Sequence, residues 1–192
     1  MSDPVCRWGF LSTAAIARKN WKAIRLSGNG RVSAVASRDA RRAQTFINEC
    51  SAEVPQPQIP AAVGSYQSLL ERDDVDAVYI PLPTGMRKEW VLAAAAAGKH
   101  VLVEKPVAVN ADDAQEMVDA CERAGVQLMD GVMFDHSRRL QSIYQRLESG
   151  EVVGKLRRIA THFSFSGDAE FQQTNIRTDS ELEPHGCLGD LG

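Results

Sequence analysis

Short apolar runs alternate with helical stretches through the first two-thirds of the chain, and this alternation limits the possible folds more than any other feature. The runs at residues 5–11, 32–36, 76–80, 101–103 and 126–129 are almost uninterrupted. Such continuity is typical of strands that are buried on both faces. Repeated β-α-β units of this kind predict an α/β fold, with a doubly wound parallel sheet covered by helices on both sides.

The pattern changes after residue 131. Residues 140–147 are predicted to form a helix, and residues 156–165 alternate loosely between apolar and polar side chains. That alternation predicts a strand of a different, antiparallel sheet. We therefore expect a first domain over residues 1–131 and the incomplete start of an α+β antiparallel-sheet domain over residues 132–192.

Composition and charge exclude several classes of protein. The formal net charge of −3 over 192 residues gives no general attraction for nucleic acid or an anionic membrane. No apolar stretch approaches the roughly 20 residues that span a bilayer, and the N-terminus has no signal-peptide pattern. Four cysteines are widely spaced, which predicts reduced thiols rather than a disulfide framework or a metal site. We expect a cytoplasmic protein without nucleic-acid, membrane or metal partners.

One strand ends in a charged motif. Residues 101–103 are followed by Glu104, Lys105 and Pro106, and the strand must stop there because proline cannot donate to a sheet ladder. Lys105 is thereby placed at the carboxyl edge of the sheet, where open α/β sheets bind ligands. Taken alone, a lysine at a strand end is more often a solvated charge, so only the rest of the chain decides between the two interpretations.

The turn after the first strand lies where a dinucleotide-binding fold carries G-x-G-x-x-G. Glycine there permits a tight turn and a close approach of the pyrophosphate. In this chain the three glycine positions hold Ser12, Ala14 and Ala17, which are small although none is glycine. Ser12 or Thr13 can cap the next helix, whose N-terminus can still face a phosphate. Simple close packing is the alternative explanation.

The second strand ends in Ser37 and Arg38. Enzymes that use NAD usually have an acid at this place, which pairs with the ribose 2′-hydroxyl. Ser37 can donate a hydrogen bond and Arg38 can pair with a 2′-phosphate, so the sequence favours NADP. Asp39 keeps NAD possible, because a shift of one residue would restore an acid, and a merely solvated arginine is the remaining alternative.

Together these segments resemble the Gfo/Idh/MocA family, which includes glucose-fructose oxidoreductase, inositol dehydrogenase and dimeric dihydrodiol dehydrogenase. The resemblance covers essentially the whole chain, and its specific part is the Glu104-Lys105-Pro106 motif at this place in the strand order. Further similar segments are residues 8–14, 35–38, 64–66, 79–84, 129–133, 163–165 and 189–192. The resemblance implies an NAD(P)-binding Rossmann domain over residues 1–131 and hydride transfer between nicotinamide and a hydroxyl-bearing carbon of a sugar, polyol or diol. It also implies that the full-length parent is a homo-oligomer.

The same resemblance implies roles for individual residues. It places Lys105 beside the nicotinamide and the substrate hydroxyl, where its charge would favour a developing alkoxide. Glu104 would help to hold the lysine and Pro106 would fix the turn. Further cofactor contacts are implied for Ser12, Thr13, Ala14, Ile16, Ser37, Arg38, Pro81, Leu82 and Thr84.

The chain also departs from the family pattern. Arg87 stands where many members have a histidine. His136 lies where substrate pockets of the family begin, although a lone histidine is more often structural. Asn175 and Arg177 could line the pocket, but a surface loop is the favoured interpretation.

The last residues carry half of a second motif. In the family this motif reads Asp-x-Gly-x-His, or has tyrosine in place of histidine, and here Asp190-Leu191-Gly192 supplies its first half. We expect Asp190 to belong to the catalytic site, and the chain to be a fragment of an NADP-dependent oxidoreductase that is inactive by itself. The alternative is a non-catalytic nucleotide-binding sensor or partner protein. The presence of Lys105 favours the enzyme, since a sensor does not need it.

Overall fold

Six parallel strands form one sheet in the computed structural model, which describes residues 5–152, 154–164 and 166–191. The strands are β1 (Cys6–Leu11), β2 (Gly30–Ala36), β3 (Ala61–Val63), β4 (Ala77–Ile80), β5 (His100–Val103) and β6 (Leu128–Asp130). Their order in the sheet is β3-β2-β1-β4-β5-β6, and every neighbouring pair is parallel. The order reverses between β1 and β4, which creates the crevice where sheets of this type bind ligands.

Helices cover both faces of the sheet, which confirms the predicted doubly wound α/β fold. They are α1 (Ala17–Leu26), α2 (Ala40–Glu53), α3 (Tyr66–Leu70), α4 (Thr84–Ala96), α5 (Ala111–Ala124), α6 (Arg138–Glu148), α7 (Ala169–Thr174) and α8 (Gly186–Leu191). Successive strand residues point to opposite faces. Phe10 and Tyr79 therefore pack with α1 and α2, whereas Leu11 and Ile80 pack with α3, α4 and α5.

An aromatic cluster fills the core under α1 and α2. The rings of Phe10, Trp21, Phe46 and Tyr79 meet edge to face at centroid distances of 5.3 to 6.4 Å, a favourable geometry for aromatic pairs. The Trp21 indole also donates to the carbonyl of Val54 at 2.7 Å. This packing fixes the orientation of Tyr79, whose hydroxyl reaches the carboxyl edge of the sheet.

The segment after residue 131 differs from the sequence prediction at one element. The predicted helix at 140–147 is confirmed as α6, but the expected strand at 156–165 is wrong, because residues 156–164 form no strand and Phe165 lies outside the described residues. Ile159 and Phe163 are 71% and 70% exposed, so the apolar side of the alternating pattern is not buried. A strand is stable only when a neighbour pairs with its backbone. The predicted division between residues 131 and 132 stays a prediction.

The described part of the chain contains no helix that is long and apolar enough to cross a membrane. Across the same residues, no group of three or more His, Cys, Asp or Glu side chains is placed to hold a metal ion.

Candidate active site

A cavity of 510 Å³ opens at the carboxyl edge of the sheet, beside the point where the strand order reverses. It brings together predicted site residues from three separate loops, namely Ala14, Ile16, Pro81, Leu82, Glu104 and Lys105. Asn175 and Arg177 line it as well, although the sequence favoured a surface loop for them. A second cavity of 540 Å³ lies between α5 and β6 and is lined by other residues. The edge cavity is therefore the candidate site.

The turn after β1 has the backbone geometry of a glycine turn. Ser12 has a φ of 133°, which glycine adopts freely and other residues adopt rarely. Its amide donates to the carbonyl of Ala36 at 3.1 Å, and its hydroxyl accepts from the amide of Ala14 at 3.0 Å. These two hydrogen bonds hold the strained turn in place, with Ser12 at the position where the fingerprint has its first glycine.

The prediction that Ser12 or Thr13 caps the next helix is wrong. Helix α1 begins at Ala17, and its N-cap is Ile16, which makes no side-chain capping bond. The hydroxyl of Ser12 is used inside the turn instead. Ile16 lines the edge cavity, so the N-terminal end of α1, where the helix dipole is positive, borders the place where an anionic ligand would bind. The amides of Ala17, Arg18 and Lys19 already donate to the carbonyls of Ala14, Ala15 and Ile16.

At the end of β2, Arg38 is exposed to solvent, whereas Asp39 caps the next helix. Ser37 is buried and its amide donates to the carbonyl of Val63 at 3.0 Å, whereas Arg38 is exposed. Asp39 is the N-cap of α2, where its carboxylate accepts from the amide of Arg41 at 2.9 Å. This hydrogen bond lowers the pKa of the Asp39 carboxyl. Asp39 is thus committed to the helix, which weakens the alternative that it serves as the acid of an NAD site.

Glu104 is held by a buried tyrosine. The fully buried Tyr79 donates its hydroxyl to Oε1 of Glu104 at 2.6 Å. Burial, together with the hydrogen bond and the charge of Glu104, raises the pKa of Tyr79 well above its ordinary value, so the phenol stays a proton donor. A Cβ added to Gly131 would lie 3.1 Å from Oε2 of Glu104. The carboxylate of Glu104 is therefore fixed between the hydroxyl of Tyr79 and the closely packed backbone of Gly131.

Arg87 connects the loops that follow β4 and β5. It is only 5% exposed, its Nε donates to the carbonyl of Leu82 at 2.7 Å, and its Nη1 donates to the carbonyl of Pro106. Burying a guanidinium is costly unless its donors are used. This arginine therefore fixes the Lys105-Pro106 turn against the Pro81-Leu82 turn.

Thr84 opens helix α4 and contacts a distant glutamate. Its amide donates to Oε1 of Glu183 at 3.1 Å, and its hydroxyl donates to Oε2 at 2.5 Å. Thr84 is buried in this contact, so its predicted role toward the cofactor stays a prediction. Glu183 itself lines the edge cavity.

Several predicted residues do not line the cavity. They include Ser12, Thr13, Ser37, Arg38 and Thr84, and Thr13 instead lines a separate groove with Arg18 and Arg41. His136 is exposed in the 3₁₀ turn Met133–His136, of which Met133 lines the cavity. Asp190 lies on α8, and its side chain falls outside what the structure describes.

Sequence reasoning missed Tyr79, Gly131 and Glu183. A polar hydroxyl within an otherwise apolar strand was the available signal for Tyr79, since a buried phenol needs a partner. Glu183 gave no such signal, because it lies 99 residues from Thr84.

The comparisons with known proteins agree with this geometry. Residues 6–132 match the profile of the Gfo/Idh/MocA family, an oxidoreductase family with an NAD-binding Rossmann fold. The chain is 38% identical over 187 residues to D-xylose 1-dehydrogenase (NADP(+)) 2 of Haloferax volcanii, covering 96% of this chain and 53% of that protein. It is 39% identical over 193 residues to a dTDP-3,4-didehydro-2,6-dideoxy-alpha-D-glucose 3-reductase of Saccharopolyspora spinosa, covering 100% of this chain and 54% of that protein.

A solved structure gives the same result. The fold is similar, with a TM-score of 0.72 and 35% identity, to a 3-ketoreductase of Actinomadura kijaniata crystallised with TDP-benzene and NADP. The alignment covers 81% of this chain and 45% of that protein. The chain thus spans about half the length of the relatives that it matches, and the family resemblance inferred from its motifs is confirmed.

The Tyr79–Glu104 hydrogen bond leads to a prediction for stability. Changing Tyr79 to Phe keeps the aromatic packing and removes the donor. We expect the free energy of unfolding to fall by about 1.5 kcal/mol, the lower end for a hydrogen bond to a charged group because Glu104 is only half-buried. Urea denaturation measures the change, and the same substitution at the exposed Tyr144 is the control. Equal losses in the two variants would contradict the role given to this hydrogen bond.

Proposed function

We propose that the chain, which belongs to the Gfo/Idh/MocA family of oxidoreductases, supplies the cofactor-binding and lysine-bearing part of an NADP-dependent oxidoreductase. The observation that carries the proposal is the position of Lys105 in the edge cavity, together with the turn at residues 14–16. A nucleotide sensor needs the turn, but it has no use for a cation placed next to the reacting end of the cofactor. The widely spaced cysteines support a cytoplasmic location, and the family resemblance supports a homo-oligomer of the full-length protein.

The residues present fit an NADP molecule laid across the carboxyl edge. The strained turn at Ser12 and the N-terminal end of α1 suit the pyrophosphate, because the positive end of the helix dipole favours an anion there. Ser37 and Arg38 suit the adenosine ribose and its 2′-phosphate. Pro81 and Leu82 reach the cavity close to Lys105, which suits the nicotinamide end.

Bound NADP would supply or accept a hydride at its nicotinamide ring. The ammonium group of Lys105 would stabilise negative charge that develops on a substrate oxygen as the hydride moves, since a cation aimed at developing charge lowers the barrier. Glu104 and Arg87 would keep the lysine's turn fixed, so that little reorganisation accompanies the reaction. The cavity would thereby orient a hydroxyl-bearing carbon or a ketone against the cofactor.

The substrate class follows from the relatives. One is named for D-xylose and several for a dideoxy-sugar nucleotide. We infer that the substrate carries a secondary hydroxyl or ketone on a sugar, with a polyol or dihydrodiol as the related possibility. A relative named trans-1,2-dihydrobenzene-1,2-diol dehydrogenase, 34% identical, supports that possibility.

The choice of NADP over NAD is tested at Arg38. Changing Arg38 to Ala should weaken NADPH binding by about 1–3 kcal/mol, because one hydrogen-bonded charge pair is lost, and should leave NADH binding nearly unchanged. Nicotinamide fluorescence during titration of the protein measures both affinities. Arg25, exposed at the far end of α1, provides the matched control as Arg25→Ala. Wild-type protein that binds NADH as tightly as NADPH would contradict the assignment.

The role of Lys105 is tested in the protein that carries this chain. The variant Lys105→Met should keep its NADPH affinity but lose hydride transfer with sugar substrates by about 10²–10⁴-fold, the range for a group that stabilises charge or moves a proton in the transition state. Stopped-flow absorbance of NADPH follows the transfer, and the exposed Lys155 changed to Met is the control. Unchanged turnover would show that Lys105 is an ordinary surface charge.

A further inference from the structure

The first turn of α4 carries a contact that neither the family motifs nor the mechanism explains. Residues 181–183 lie against Thr84 and Gly85, although nearly a hundred residues separate the two segments. We call residues 175–189 the C-terminal segment. Its residues 175–177 and 183 line the edge cavity together with Lys105, so whatever fixes this segment also fixes one part of the cavity wall.

Glu183 provides the main attachment. Helix α4 begins after Pro83, which makes no side-chain capping bond, so the helix needs a partner for its first amides. Glu183 supplies it, accepting the amide and the hydroxyl of Thr84 with its two carboxylate oxygens at 3.1 and 2.5 Å. A negative charge at this end of a helix is favourable, since the macrodipole is positive there. Charge-assisted hydrogen bonds of this kind are among the stronger ones.

Gly85, the residue after Thr84, also contacts the C-terminal segment. The amide of Gly85 donates to the carbonyl of Leu182 at 2.9 Å. A Cβ added to Gly85 would lie 2.4 Å from the carbonyl oxygen of Glu181, closer than any side chain tolerates. Alanine would be the better helix former by about 1 kcal/mol, so the glycine here serves the contact with the segment rather than the helix.

A second attachment lies on the other side of the Lys105 turn. Nε2 of His185 is 2.6 Å from the carbonyl oxygen of Val109, three residues after Pro106. The segment is thus attached to the loop after β4 through Thr84 and to the loop after β5 through Val109. Residues 175–177 and 183 of the same segment line the edge cavity.

We propose that Glu183 is a positioning residue, which holds the C-terminal segment on the first turn of α4 so that Asn175 and Arg177 form a wall of the cofactor cavity. The proposal rests on the proposed function in one respect, namely that the cavity accepts NADP(H). Thr84 then serves to donate the hydrogen bonds to Glu183. Gly85 serves to leave space for the carbonyl oxygen of Glu181.

Hydrogen exchange with and without NADPH tests the proposal. In the wild-type chain, NADPH should slow the exchange of amides 176–178 as well as those of the turn at residues 12–16. In Glu183→Ala, exchange of the Thr84 and Gly85 amides should accelerate about tenfold or more, as expected when a hydrogen bond to a charged group is lost. The NADPH-dependent slowing at 176–178 should disappear, while that at 12–16 remains. The matched control is Glu181→Ala, at an exposed carboxylate of the same segment.

Three further variants keep the test independent of Glu183→Ala. Thr84→Val removes the hydroxyl at nearly constant shape but keeps the amide, so it should change the exchange rates in the same direction as Glu183→Ala and by a smaller amount. Thr84→Ser keeps the hydroxyl and should behave like the wild type. Gly85→Ala should also release the segment, although it favours the helix.

The possible outcomes separate this inference from the proposed function. Wild-type protein that shows no NADPH effect anywhere would contradict the proposed function, and the exchange rates at Thr84, Gly85 and 176–178 in the variants would still test the attachment. Faster exchange limited to Thr84 and Gly85, with the NADPH effect at 176–178 intact, would overturn the proposal, because Glu183 would then be only a helix cap. Unchanged exchange in Gly85→Ala would overturn it as well.

Discussion

The hydrogen bond from Tyr79 to Glu104 joins the hydrophobic core to the cavity at the sheet edge, and the site depends on it. Tyr79 cannot turn, because its ring is packed edge to face against Phe10 within a fully buried cluster. Its raised pKa keeps it a donor, and a half-buried carboxylate such as Glu104 is stable only when its oxygens are hydrogen-bonded. The rigidity of the core is thereby transferred to the residue that precedes Lys105. A site supported in this way needs little reorganisation when charge develops.

The other contacts at this edge follow the same principle. Loops at strand ends are mobile unless buried groups connect them. Arg87 connects the turns after β4 and β5 by donating to a carbonyl of each, and Glu183 attaches the C-terminal segment to α4. In each case a charged side chain is used for several hydrogen bonds at once, which offsets the cost of taking it out of water. The cavity walls are therefore built from loops but positioned by helices and strands.

The sequence predicted those parts of the fold that depend on local pattern. Continuous apolar runs identified the buried strands. Pro106 marked the end of the strand at residues 101–103, which placed Lys105 at the carboxyl edge. The turn at Ser12 was located correctly by its small residues, yet the cap was assigned to the wrong residue because the helix starts only at Ala17. The strand at 156–165 failed since alternation alone cannot provide a partner. Glu183 was missed because its contact with Thr84 spans 99 residues, and no local pattern reports such a distance.

We propose that one continuous NADP site runs along the carboxyl edge, from the turn after β1 to Lys105. An NMR titration of the wild-type chain with NADPH, following the backbone amides, tests this directly. We expect the amides of Ser12 to Ile16, of Arg38 and of Lys105 to shift together, with a single dissociation constant. Shifts confined to the cavity between α5 and β6, or no shift at Lys105 at saturating NADPH, would contradict it.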